Sequence, residues 1–567
     1  MKRRDFLGSV VIGAGAIGTE RENGTRVVRA DNPDAHNSLS ADVVIAGGGL
    51  GGCAAALAAL RNNLSVILTE ETDWIGGQLS QQGVPPDEHQ WIETHGATAL
   101  YRDYRAAVRQ YYLRHYPLTD DAKSRKNLNP GDGAVSRLCH EPRVAVAVLN
   151  DLFAPFISAG KLTLLLEHKV KKAEKSAHKV RSLDVLDLRT KKVTTLSAPY
   201  FVDATELGDL LPLTGTDFVT GTESSSETGE LHAPATSNPK NVQAFTVCFA
   251  IDYLAGENHV IDKPKEYEFW RNYVPKMSKP WSGKLLSLSY SNPKTLEPKM
   301  LGFHPEGIPT GDKLNLWLYR RIISKRNFKD GFYPGDITIV NWPQNDYFLG
   351  DLIGASEEEF TKYVNSAKQL SLSLLYWLQT EAPRPDGGKG WPGIRLRKDV
   401  MGTEDGLAKY PYVRESRRIK AVFTIKEEHV GAAQRAMITG KEHNSAATFY
   451  DSVGVGYYHI DLHPSSDGDN YIDFASLPFQ IPLGALLPVK TVNMLPANKN
   501  IGTTHITNGC YRLHPVEWSI GESVGLLIKY ALDKKVTPHA VRENAGLLKG
   551  FQEFIRSQGV ETEWPKQ

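Results

Sequence analysis

The sequence predicts an α/β fold: a parallel sheet interrupted by an inserted α+β lobe. Three observations carry that prediction. Residues 42–70 run strand, glycine turn, helix, strand, acid. The 567-residue length exceeds what one hydrophobic core usually organises. Residues 215–440 hold many of the aromatic and proline residues and no second glycine-rich fingerprint, as a separate lobe should. Five spans follow. They are a signal and linker (1–38), the first part of the nucleotide domain (39–215), the substrate lobe (216–440), a return to the nucleotide domain (441–540) and a helical tail (541–567).

Composition narrows the function. Hydrophobic residues make up 41% and charged residues 23%, which excludes a mainly disordered chain and a polytopic membrane protein. Lys and Arg total 66 against 65 Asp and Glu, and a net charge of +1 argues against a dedicated nucleic-acid binder. Cys53, Cys139, Cys248 and Cys510 form no CxxC pair and are too few for a disulfide scaffold or a cysteine-rich zinc site.

The chain opens Met1-Lys2-Arg3-Arg4-Asp5-Phe6-Leu7, and an apolar Gly/Ala-rich run follows to Gly18. That run is short of the ~20 residues a bilayer span needs, so it reads as an export signal. The arginine pair before Asp-Phe-Leu resembles the bacterial twin-arginine signal. Cleavage after Ala30, a periplasmic or other extracytoplasmic location and no remaining membrane span are the expectations.

In the first unit, residues 42–46 are a β-branched strand, Cys53 to Leu60 a helix of small residues, and residues 64–70 a second strand. Between the first two lies Gly47-Gly48-Gly49-Leu50-Gly51-Gly52. In this Rossmann-like pattern Gly47 allows the tight turn, Gly49 lets backbone approach a diphosphate, and Gly52 lets helix and strand pack closely; Gly51 belongs to the same turn. The helix N-terminus then offers free N–H groups and a positive dipole end to phosphate. Glu70 accepts hydrogen bonds from the adenosine ribose and repels a 2′-phosphate, which disfavours NADP.

Glu70 alone fits NAD or FAD. Gly76-Gly77-Gln78 supplies a second glycine turn soon after it, and such a turn resembles flavoproteins of the glutathione-reductase-like superfamily. Further segments extend the resemblance. Residues 167–170 look like the strand whose Val170 backbone meets the adenine. Phe201 to Leu210, with Ala204, Thr205 and Asp209, looks like the strand returning to the cofactor. Asn508 to Pro515 precedes a helix over 516–530 whose N-terminus is aimed at the flavin pyrimidine. Together with residues 412–419, these resemble the bacterial FAD-dependent oxidoreductase family, which includes exported proteins sometimes labelled xanthan lyase-associated. The resemblance covers about residues 40–535 and implies FAD as cofactor. Residues 76–83 contain no His for the covalent link some related flavoproteins make, so noncovalent FAD is expected.

Three clusters are candidates to manage the proton that accompanies flavin redox chemistry. The first is His459-Ile460-Asp461-Leu462-His463. On a strand its alternation puts His459, Asp461 and His463 on one face, and a carboxylate beside an imidazole fixes its tautomer. A hydrogen-bond network outranks a metal site there, and no metal is expected. The second is His505 and His514, flanking Tyr511-Arg512; the resemblance gives Arg512 a contact with the cofactor phosphate or the flavin O2 region. The third is Arg414, Glu415, Arg417 and Arg418, suited either to binding an anion or to an interlobe ion-pair network. His140 is a weaker candidate. Elsewhere a helix is expected over 142–157, antiparallel strands over 161–200, an amphipathic surface helix around Tyr101 to Tyr112, and a helix over 367–380.

The activity so implied is hydride transfer between a small organic molecule and flavin N5, with an electron acceptor the sequence does not identify. An FAD monooxygenase and a non-catalytic electron-transfer flavoprotein are the alternatives. No paired carboxylates in a glycosidase context support polysaccharide cleavage.

Overall fold

Five parallel strands form the central sheet of the computed structural model, which describes residues 37–565. The proposed signal, its cleavage site and the chain's last two residues lie outside that range. The strands are β1 (Val43–Ala46), β2 (Val66–Glu70), β3 (Leu162–Leu166), β4 (Tyr200–Asp203) and β6 (Met494–Pro496), in the order β6-β4-β1-β2-β3. Every residue of β1, β2 and β4 is buried, as layers on both faces of a parallel sheet require. The expectation of antiparallel strands throughout 161–200 is corrected: β3 joins the main sheet in parallel, with Val66 opposite Leu162. The antiparallel part is the layer formed by His168–Ser176, Lys179–Asp187 and Val193–Ser197.

Helix α1 (Leu50–Arg61) connects β1 to β2 and packs on α6 (His514–Lys534). The contact is between backbones. A Cβ on Gly51 would stand 1.7 Å from the Ala497 oxygen, and one on Gly521 would stand 2.0 Å from the Gly51 oxygen. The expected start of α6 at Val516 moves to His514, where Pro515 opens the helix without losing a needed N–H. The segment before it is not a loop: His505–Tyr511 forms its own helix, α5.

The inserted lobe is α+β, as expected. Strands Arg321–Ile323, Ile337–Val340, Phe249–Tyr253 and Ile394–Leu396 form an antiparallel sheet, and α4 (Glu357–Thr380) packs in the same apolar core. α4 starts ten residues before the expected Ala367. Ser356 caps it, accepting from the Glu359 amide at 3.2 Å, and three glutamates fill its first turn. Those opening turns are polar and largely exposed, so the apolar stripe announces only the second half.

α2 (Ala99–His115) is the amphipathic surface helix expected: Asp103, Ala106, Gln110 and Arg114 are exposed, while Tyr101, Tyr104, Arg105, Arg109 and Tyr112 form the buried face. The arginines of that face enter the interior paired: Arg105 with Glu88 and Glu93, and Arg109 with Glu93 at 2.6 Å. α3 (Pro142–Ser158) matches the helix read there. Among the described residues no helix is long and apolar enough to cross a membrane.

Candidate functional site

The glycine turn sits where β1 ends, and it forms one wall of a cleft. Gly47 has φ +97°, and a Cβ there would stand 2.2 Å from the Ala204 oxygen, so only glycine fits. Gly47 and Gly49 line the cleft. Gly52 instead faces inward, where a Cβ would meet the Gly47 oxygen at 2.0 Å. The first-turn amides of α1 have no intrahelical acceptor; that of Gly51 donates to Glu517 at 3.1 Å.

Glu70, at the tip of β2, lines the same cleft. It accepts from the Gly48 amide at 3.0 Å and from the Thr72 amide at 2.9 Å, and burial pushes its pKa up to about 8. Val170, Ala204, Thr205 and Asp209 line it too. Thr205 donates to Asp203 at 2.7 Å, and Asp209 pairs with Arg417 at 3.0 Å. Lining residues not singled out from the sequence include Glu71, Glu206 and Tyr410. Glu206 binds the buried Lys499 at 2.5 Å through Oε2 and leaves Oε1 without a partner.

The second glycine turn lies against the first. Gly76 and Gly77 both have positive φ, and the Gly76 amide donates to the Gly48 oxygen at 2.8 Å. Gln78 Nε2 donates to Glu517 at 2.5 Å and to the Arg512 carbonyl at 2.9 Å, while its Oε1 has no partner.

A second cavity of about 170 Å³ has Arg512 in its wall, and the Arg512 carbonyl accepts from Gln78 of the second glycine turn. The alternation expected at residues 459–463 holds. β5 (Ile460–Leu462) buries Ile460 and Leu462, while His459, Asp461 and His463 line the cavity together with Arg512. Each imidazole is tied to a carboxylate: His459 Nδ1 to Asp473 at 2.7 Å, and His463 Nδ1 to Asp346 at 2.5 Å. Burial opposes the charge on Asp461, yet His463, Arg512 and His459 hold its carboxyl far below the usual carboxylate range. Burial also opposes a proton on His459, but Asp473 and Asp461 outweigh it and raise its pKa. Asp87, Arg320 and Tyr412 complete this wall. Nothing in the spacing pairs Asp87 with Arg320, 233 residues apart.

The remaining candidates separate. His505 lies apart from the cavity lining; it is buried, with Nδ1 3.0 Å from Glu415, which also holds Arg418. Arg418 reaches Glu223 at 2.8 Å as well. Arg414 turns the other way, lining the cavity and pairing with Asp346 at 2.9 Å. His514 Nδ1 accepts from the Asp87 amide at 3.0 Å, and burial lowers its pKa to about 4. Burial lowers His140 to about 4 as well, with its Nδ1 3.0 Å from the Glu141 oxygen.

With this geometry in place, the model of the FAD dependent oxidoreductase family matches residues 42–555. No curated protein matches. Solved structures show similarity at low identity. L-proline dehydrogenase from P. horikoshii is 18% identical over 33% of this chain, at a TM-score of 0.17; the match spans only 24% of that protein. A geranylgeranyl bacteriochlorophyll reductase-like protein from Thermoplasma acidophilum is 9% identical, covering 93% of this chain and 85% of that one, at 0.32. The p-nitrophenol 4-monooxygenase PnpA from Pseudomonas putida DLL-E4 is 10% identical, covering 92% and 88%, at 0.35.

The residues present fit FAD. Gly49 faces the cleft with no side chain, beside the unpartnered Glu206 Oε1, which a Cβ there would approach to 3.0 Å. An acid stands at the neighbouring strand tip, and unpartnered atoms of Gln78 and Gln82 are buried along the second turn. The match covers nearly the whole chain, and the chain belongs to the FAD dependent oxidoreductase family, an enzyme with FAD as its cofactor.

Proposed function

We propose that the enzyme transfers hydride between a small organic molecule in the His459 cavity and FAD held, without a covalent bond, in the glycine-turn cleft. What supports this is one observation: His459, Asp461 and Arg512 line a single cavity, and Arg512 is hydrogen-bonded to Gln78 of the second glycine turn. Bound FAD supplies a hydride acceptor or donor at N5. In this reading the Gly47 to Gly52 turn and the α1 amides hold the diphosphate, Glu70 the ribose and Val170 the adenine side. Ala204, Thr205 and Asp209 form the facing wall, and Gly76, Gly77 and Gln78 carry backbone toward the flavin.

The chain's own part is the proton. Asp473 fixes Nδ1 of His459, which leaves Nε2 to exchange a proton with substrate. Asp473 and Asp461 favour the cationic form of His459. Because its pKa is raised, His459 becomes a base only above the ordinary imidazole range, so substrate oxidation should accelerate with pH through that range. His505 stays in the proposal as a residue that orders α5 through Glu415.

Anaerobic mixing of the FAD-loaded enzyme with a panel of sugars, acids and amines tests this. At least one should bleach the flavin; a panel that leaves it oxidised throughout contradicts hydride transfer. We also propose twin-arginine export, for which the motif at residues 3–7 is the support. A reporter fused to residues 1–38 should be exported, and export that survives Arg3→Lys with Arg4→Lys contradicts that route.

A further inference from the structure

Three arginines line the cavity, and they are not equally occupied. Arg414 is locked: it donates to the Ala244 carbonyl and to Thr246 at 2.9 Å, pairs with Asp346 at 2.9 Å, and stacks over Tyr412. Arg512 is locked too, by Tyr412 and the Asp461 carbonyl, each at 2.9 Å. Arg320 is slack. Its guanidinium lies 5.1 Å over the Tyr319 ring, and its Nε is unpartnered as those of Arg414 and Arg512 are, but its only side-chain hydrogen bonds among the described residues go to Asp87, at 3.4 to 3.5 Å. Those distances exceed the 2.7–3.2 Å of an ordinary N–H···O bond. The Arg320 side chain is nonetheless only 10% exposed. A guanidinium this buried and this poorly served is costly unless something else completes it.

The wall around it is rich in donors. Asn341 Nδ2, Trp342 Nε1 and the Tyr471 hydroxyl belong to lining residues, are buried, and have no partner.

We infer that the substrate of this cavity is an organic carboxylate, and that Arg320 is the residue that binds its carboxylate group. The inference rests on the reading of this cavity as the substrate site. Arg320 offers a planar fork suited to a carboxylate's two oxygens, which a lysine point charge does not reproduce. Arg414 and Arg512 hold the wall in place around it, and the unpartnered donors favour a ligand carrying further oxygen acceptors, as hydroxy acids and sugar acids do.

The test uses matched pairs that differ only in the acid: D-glucuronate against D-glucose, and L-lactate against lactamide. Binding to the FAD-loaded enzyme is read by the fluorescence of tryptophan, Trp342 being in the wall, and by calorimetry. In the unaltered enzyme the anion of at least one pair should bind at least about tenfold more tightly than its neutral partner. Arg320→Gln should lose about ten- to a hundredfold in affinity for that anion while leaving the neutral partner unchanged, and Arg320→Lys should recover part of the loss. FAD content and melting temperature, measured alongside, show that each variant is folded. Equal binding of acid and neutral partner overturns the inference. So does an anion preference that survives Arg320→Gln, or failure of every probe to bind up to its solubility. Flavin bleaching is scored separately. An acid that binds in an Arg320-dependent way without bleaching upholds the carboxylate site and counts against hydride transfer.

Discussion

The enzyme sets imidazoles beside carboxylates both at His505 and at the His459–His463 strand, and the two clusters are built for different ends. At His505 the partner Glu415 also clamps Arg418, Arg418 continues to Glu223, and Glu415 and Arg418 are fully buried. At His459 and His463 the carboxylates sit behind the rings, and the rings line a cavity with an arginine to spare. Pairing alone therefore does not mark a catalytic histidine. What distinguishes the second cluster is that its network leaves a face open.

The comparison predicts opposite responses to the same kind of substitution. The largest effect should come from Arg418→Met, which strands Glu415 and Glu223 beside one another. Breaking one side of a buried pair costs about 3–5 kcal/mol, so equilibrium unfolding should show a large loss of stability. A variant as stable as the parent would mean that this network is not structural. Next in size is Asp473→Asn, which keeps the shape beside His459 but removes the charge. Loss of a charge-assisted hydrogen bond is worth about 1.5–3 kcal/mol, or roughly ten- to a hundredfold in kcat/KM. The same change should move the pH profile toward lower pH, because the raised pKa of His459 then relaxes. A profile that stays put removes Asp473 from the proton path.

The smallest effect concerns pH and stability at His505. Burial opposes its proton, but Glu415 raises its pKa, so the stabilisation it contributes is complete below an ordinary imidazole value of about 6.5. That stabilisation fades as pH rises through the folded value. For Glu415 burial again opposes charge, but His505 and Arg418 lower its pKa. Its contribution is therefore complete above about 4.3 and fades as pH falls through the lower folded value. The pair together supports stability most strongly between those two values. His505→Gln should flatten the alkaline side of that dependence, and melting curves that keep the full alkaline decline contradict the assignment.

The regions also differ in how much of them the sequence discloses. The nucleotide unit is legible because its requirements are local: strand, turn, helix and acid follow within thirty residues, and each glycine answers a steric demand at its own position. The face shared by His459, Asp461 and His463 is legible for the same reason, since alternation is a property of one strand. Arg320 is not, because it enters from the lobe sheet to meet Asp87 of the first domain. The inward arginines of α2 were not legible either, because their acidic partners sit in the loop before the helix. The parallel pairing of β3 depended on a neighbour almost a hundred residues upstream.

The most direct test of the account is the anaerobic rate of flavin bleaching by one substrate, compared between His459→Gln and His505→Gln at equal FAD content. Loss of general acid–base catalysis is worth about 10²–10⁴-fold, so His459→Gln should fall by that amount while His505→Gln bleaches near the parent rate. Equal losses in both, or a loss confined to His505→Gln, would contradict it.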